Sequence, residues 1–317
     1  MAQPTGTYAT NDMVGIREDL ANTIYDISPV DVPFLSSIDH VEATARKHEW
    51  QTDVLAAASS SNAAIEGDDA PQGSATASVR LDNRTQISTL DARVSGSARS
   101  VDTAGRADEL EYQMLKKGNE LKRDIESALL ANKIKVTGND TLAAELAGIG
   151  AWLKTNSSKA SDGTDPTAAD GTDARNDGTQ RALQESFLKE VLREAWDQGG
   201  NPDCLMVGGF NRQKASEFAG NSSSVQKAED SVLHATFSVY ESDFGEIKII
   251  PNRFQRARDG LVLQTDMFAI AHLPGRNMHS FDIAKTGDSD ARQILSEYTL
   301  EVRNEKSSGI IADLTTS

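Results

Sequence analysis

Five histidines, a single cysteine and 48 carboxylates are the residues of this chain with the means to do chemistry. The histidines are His40, His48, His234, His272 and His279. No two are spaced i, i+4, and His48-Glu49 lacks the second histidine that a zinc-protease helix places on the same face. Cys204 precedes Leu205-Met206 and reads as a small buried hydrophobe, because a reactive thiol needs an electropositive, accessible setting. One thiol builds no intrachain disulfide and suits a reducing compartment. A Gly-x-Ser-x-Gly elbow and a phosphate-cradling glycine loop are both missing, and Gly148-Ile149-Gly150 is only a fragment of the latter. Asp-Gly-Thr triplets begin at Asp162, Asp170 and Asp177, but they do not have the alternating acid spacing that wraps calcium. With so many acids, a catalytic carboxylate pair cannot be told from chance neighbours. The expectation is no catalytic residue, no metal site and no cofactor.

Composition narrows the partners. The chain has 317 residues, 38% hydrophobic and 5% aromatic, with a formal net charge of −16. Tight binding to nucleic acid requires clustered Lys and Arg, and an anionic membrane repels such a chain. No run of about 18 apolar residues exists, so no transmembrane helix is expected.

The elements that would position these residues can be read from periodicity. Residues 1–43 read as an arm broken by Pro4, Pro29 and Pro33, with one amphipathic stretch from Val14 to Tyr25 and an extended apolar segment from Ile27 to Leu35. From Thr44 the period becomes two: His48, Trp50, Thr52 and Val54 share one face, and Lys47, Glu49, Gln51 and Asp53 the other. A polar tip, Ser59 to Thr76, leads to a returning strand whose parity changes near Thr89, which predicts a bulge there. Together these form a long hairpin over residues 44–95, and such a hairpin needs another surface to lie on.

Leu110, Met114, Leu121, Ile125 and Ala128 predict a helix from about Thr103 to Lys133, with Lys116–Glu120 and Lys122–Glu126 paired at i, i+4. About 31 residues at about 1.5 Å each make a rod of about 46 Å. The loop from Ser157 to Thr179 is too long for a plain connector and is either functional or flexible. A helix from Leu183 to Trp196 follows, stopped by Gly199-Gly200-Asn201-Pro202. Then come a strand at Leu205–Val207, a helix near 211–219, and strands near 246–250, 261–273, 297–303 and 310–314. The fold class is α+β.

Several segments, in order along nearly the whole chain, resemble the major capsid proteins of tailed bacteriophages with the Hong Kong 97-type fold. They are Ile27-Ser28-Pro29 with Pro33-Phe34-Leu35, His48-Glu49-Trp50-Gln51-Thr52-Asp53, Glu66-Gly67-Asp68-Asp69-Ala70, Gly200-Asn201-Pro202-Asp203, Ala284-Lys285-Thr286-Gly287-Asp288-Ser289, Glu297-Tyr298-Thr299-Leu300 and Asn304-Glu305-Lys306. The resemblance implies an N-terminal arm (1–43), an extended hairpin loop (44–95), a long spine helix within the peripheral domain (96–136), an axial domain (137–270) and return strands of the peripheral domain (271–317). It implies Pro29, Phe34, His48, Trp50, Asp53, Glu66, Asp68, Asp69, Tyr298 and Arg303 as subunit-interface candidates.

The function so implied is self-assembly, through hexamers and pentamers, into an icosahedral head. That head encloses double-stranded DNA without sequence-specific binding. The chain would be built in the host cytoplasm and end in the virion. A portal protein, and separately encoded scaffold or decoration proteins, would be its other partners. Some relatives crosslink a hairpin lysine to a neighbour. The tip here contains none, so a noncovalent shell is expected. Only residues 1–43 precede the hairpin, so no cleaved scaffolding segment is expected. An encapsulin-like nanocompartment shell shares the fold, and a hydrolase using scattered acids is the reading from a different class.

Overall fold

The computed structural model describes residues 30–63, 65–67, 73, 77–101, 108–218 and 239–317. The amphipathic stretch Val14–Tyr25 and the residues Pro29, Asp68 and Asp69 lie outside them. Along the chain come α1 (Pro33–Ser37), β1 (Asp39–Glu42), β2 (Lys47–Thr52), β3 (Val79–Arg84), β4 (Gln86–Ser95), α2 (Gly96–Ser100) and α3 (Glu109–Leu129). There follow β5 (Asn156–Ser158), α4 (Glu185–Asp197), β6 (Cys204–Val207), α5 (Gly209–Ala215), β7 (Val239–Ser242), β8 (Gly245–Pro251) and β9 (Gly260–Leu263). Last are β10 (Phe268–His272), β11 (His279–Ile283), β12 (Ser289–Val302) and β13 (Gly309–Ile311).

A five-stranded sheet is organised by β12. On one side it pairs with β10 and β11, on the other with β4, and β1 adds to β10 in parallel. Across it lies α3, whose Leu110, Met114, Leu121 and Ile125 form the buried stripe that the 3.6 period predicts, with Leu129 buried at its end and the expected Ala128 only partly so. These side chains share a core with Ala92, Val94, Ile294, Tyr298 and Leu300. The helix is shorter than expected. Asp108, in extended backbone, accepts the Leu110 amide at 2.8 Å and so caps a helix of 21 residues, about 32 Å long. The acid pairs also differ. Lys117 bonds Glu120 at 2.7 Å, and Glu126 faces the interior instead of Lys122.

The expected bulge near Thr89 is not there. β4 pairs with β12 in unbroken register from Gln86↔Tyr298 to Ser95↔Ser289. The parity change falls earlier, at buried Thr85, where the chain leaves the β2–β3 hairpin and enters the sheet. Ile87 therefore points outward.

The second sheet has the order β5-β13-β9-β6-β8-β7. Its middle strands are apolar on both faces because each face has its own core. Cys204, Met206, Leu261, Leu263 and Ile310 join the α3 core, whereas Leu205, Val207, Val262 and Ile311 pack under Leu188, Val191 and Leu192 of α4. The expected strand over 261–273 is two strands in two sheets. Between them Asp203 accepts the Thr265 amide at 2.9 Å and its hydroxyl at 2.6 Å, which turns the chain. β10 thus belongs to the first sheet and β13 to the second, so the two sheets cross the expected division between 137–270 and 271–317.

The Asp-Gly-Thr loop is ordered by its own side chains. Asp162 accepts the amide and hydroxyl of Thr179, at 2.9 and 2.6 Å, so the first triplet holds the third. Asp170 does the same for Thr172 within the second. Asp177 pairs with Arg256 at 2.6 Å. Buried Asp313 accepts the Gly178 amide at 2.7 Å and Arg258 at 3.0 Å. Gly171, at φ +74°, lies so close to Ala147 and Trp152 that a Cβ would meet the Ala147 methyl at 2.7 Å.

Candidate assembly surface

The base of the hairpin follows the sequence pattern. Along β2 the side chains alternate between exposed and half-buried, with His48, Trp50 and Thr52 turned inward. Alternation puts them on one face, and that face lies on the body of the same chain. The Trp50 indole N–H donates to the Val302 carbonyl at 2.7 Å, and its ring lies 5.4 Å from that of Trp152. His48 Nε2 is 2.8 Å from Glu301 Oε2, and this contact holds the Glu301 carboxyl below the usual glutamate range. On β3, buried Asn83 donates to the carbonyls of Leu300 (2.8 Å) and Ala147 (3.2 Å) and accepts the Ala147 amide (2.9 Å). Arg303 lies beside this seat without touching the hairpin, reaching Asp39 at 2.7 Å and the Asp266 carbonyl at 2.8 Å.

Beyond Thr52 the described hairpin residues have no strand partner. Val54 is 68% exposed, Leu55 96% and Ile65 78%. Each such side chain gains about 1.5–3 kcal/mol when fully covered, and this subunit leaves them in water. Asp53 and Glu66 are exposed among them. On the body, a groove of about 680 Å³ runs between β4 and α3, lined by Ala92, Val94, Ala98, Val101, Gln113 and Lys117 among others. Beside it the outer edge of β4 has no strand partner among the described residues.

The interface candidates therefore separate. Phe34 is fully buried and packs edge-on against Phe268 at 6.0 Å. Tyr298 is also fully buried, lies 3.0 Å from the Ser88 hydroxyl, and has its phenol pushed up to about 12 by burial. Within this subunit both are interior residues. His48 and Trp50, with Asn83, hold the hairpin to its own subunit, whereas Arg303 ties Glu301 to Asp39 within the body. Sequence reasoning misses Asn83, Glu126 and Trp152. Asn83 alone gives a signal, as a polar residue on the inward parity of its strand.

Among the described residues no group of three or more His, Cys, Asp or Glu is placed to hold a metal, and no helix is long and apolar enough to cross a membrane. Cys204 is buried and its thiol is pushed up to about 12, chiefly by that burial.

A sheet crossed by a long helix, a second sheet with its own α4 layer, and a projecting hairpin with an uncovered apolar tip define a shell-building subunit of the Hong Kong 97-type fold. Solved phage structures share the arrangement. The cyanophage A-1(L) capsid asymmetric unit matches with a TM-score of 0.64 at 13% identity, covering 98% of this chain and 99% of that one. A Mycobacterium phage Cain structure matches at 0.61 and 10% identity, covering 98% and 100%. The SrpI encapsulin of Synechococcus elongatus matches at 0.56 and 8% identity, covering 95% and 94%. The chain belongs to the SU10 major capsid protein family, whose model matches residues 3–315. The major capsid protein of Escherichia phage Phieco32 is 29% identical over 98% of this chain and 97% of its own length.

Proposed function

We propose that this chain is the major subunit of a tailed-phage head and tiles with copies of itself into a closed shell. The observation that carries the reading is the hairpin: its base is fixed to the subunit, and beyond β2 it carries Val54, Leu55 and Ile65 uncovered. The groove between β4 and α3, with the open strand edge beside it, is the surface on a second copy that suits the tip. A heterologous contact of this kind repeats by rotation and closes into rings, here hexamers and pentamers. Many weak contacts acting together hold the shell. Asp53 and Glu66, and in sequence Pro29, Asp68 and Asp69, are the interface candidates that go forward.

The role is structural rather than enzymatic. The net charge of −16 suits a container whose wall does not grip packaged double-stranded DNA. A portal protein, and scaffold or decoration proteins, are the further partners, with assembly in the host cytoplasm. The described tip contains no lysine, which supports a noncovalent shell. The encapsulin likeness is the weaker of the fold matches, and the family match favours the phage head. Negative-stain microscopy of the purified chain under assembly-promoting conditions tests the reading. Closed icosahedral particles are expected, and a persistently monomeric chain overturns it.

A further inference from the structure

Glu126 lies on the inward side of α3 with no exposed surface, and among the described residues it makes no ion pair. Its Oε1 accepts the Phe34 amide at 2.9 Å and the Asn252 side-chain amide at 2.7 Å. Its Oε2 accepts the Leu35 amide at 2.7 Å. One carboxylate thus joins three segments: α1, which leads into edge strand β1; the helix α3; and the loop after β8, which belongs to the second sheet. Asn252 is itself fixed, since its backbone N–H donates to Val207 at 2.9 Å and its Oδ1 accepts the Phe254 amide at 2.9 Å.

Among the described residues no neighbouring element neutralises the charge. α1 has no charged residue. On α3, Lys122 points to solvent and the Arg123 guanidinium sits 5.3 Å over the Phe254 ring. In the loop after β8, Arg253 makes no ion pair with Glu126, and Arg256 is taken by Asp177 and Asp259. Burial raises the Glu126 pKa, and the three hydrogen bonds offset that only in part. A buried charge solvated only by three donors depends on all of them. Removing one leaves the carboxylate under-solvated, and it then takes up a proton or turns toward water; either change weakens its bonds to the remaining amides.

We propose that Glu126 is a latch that couples the seat of α1 to the position of the second sheet, so that α1 loosens whenever the loop after β8 draws away from α3. The latch is internal to one subunit and does not rest on the assembly reading. Hydrogen–deuterium exchange of the peptide containing Phe34 and Leu35 tests it, with a β12 peptide as the reference for global opening. Asn252→Leu is expected to speed exchange at Phe34 and Leu35 about tenfold, although Asn252 touches neither amide. Glu126→Gln, which sets an NH₂ against donors, is expected to speed it at least as much. The double variant should go no further than Glu126→Gln alone, because both changes break one unit. Unchanged exchange in Asn252→Leu, or effects that multiply in the double variant, overturns the proposal. If Glu126→Gln loosens β12 as well, Asn252→Leu alone decides.

Discussion

Trp50, on the hairpin, lies ring to ring with Trp152 of the body, 5.4 Å between centroids and tilted by 41°. Trp152 in turn is fully buried and abuts Gly171 in the second Asp-Gly-Thr triplet. The direction in which the hairpin leaves the subunit is therefore set by a stack that begins in a loop far along the sequence.

Replacing Trp50 by Ala removes that stack and the hydrogen bond to Val302. The expected cost is about 2 kcal/mol, confined to the hairpin base. Helicity by circular dichroism should not change, because the groups Trp50 holds, Trp152 and Val302, lie outside α3 and α4. Hydrogen exchange over residues 47–52 should rise and particle yield should fall. A loss of helicity in step with the loss of particles would make Trp50 a plain core residue.

Leu55→Asp with Ile65→Asp should leave the subunit's thermal melting within about 1 °C of the wild type, since both side chains are already in water. Sedimentation should show the shell replaced by small species. Particles of normal yield and stability would remove the tip from the interface.

Gly171→Ala places a methyl against Ala147 and Trp152 at a backbone angle that L-residues avoid. A destabilisation of about 2 kcal/mol or more is expected in denaturant melts. Gly275→Ala is the control: it has a similar positive φ of 72° but open space around it, and should cost about 1 kcal/mol. Equal losses would mean that the packing around Trp152 yields.

Two buried groups should pull stability in opposite directions between about pH 4 and pH 6.5. Burial pushes Asp259 up to about 6, so acidification protonates it in the folded chain first and favours folding, an advantage lost as pH rises through about 6. Burial, with His40 beside it, pushes His272 down to about 4, so the unfolded chain takes up the proton first and acidification disfavours folding. A tenfold difference in proton affinity between folded and unfolded chain is about 1.4 kcal/mol, so each group is worth about 2 to 3 kcal/mol across the window. Relative to wild type, Asp259→Asn should lose stability as pH falls from about 7 to about 4, and His272→Leu should gain it. Parallel curves for wild type and either variant would contradict the assignment.

Elements with a strong period were legible: the α3 stripe of Leu110, Met114, Leu121 and Ile125, and the alternation of His48 and Trp50. Features decided by distant contacts were not. Glu297 and Thr299 read as an outward face of β12, yet both are buried, because β12 is paired on both sides and Thr85 and Arg276 reach over to bond Glu297. The apolar run 261–273 gives no local hint that Asp203, far away in sequence, breaks it in two. The motifs that carried the resemblance marked the family, but for Phe34 and Tyr298 the reason is packing within the subunit.

Strand β13 lies inside its sheet, between β5 and β9, yet it leaves the ribosome after every other strand of that sheet. Until it emerges, β5 has no neighbour to join and Asp313 is not yet present to clasp Gly178. A nascent chain thus keeps one half unfinished until synthesis reaches its closing strand, and polysome-bound copies held so near one another are unready to build.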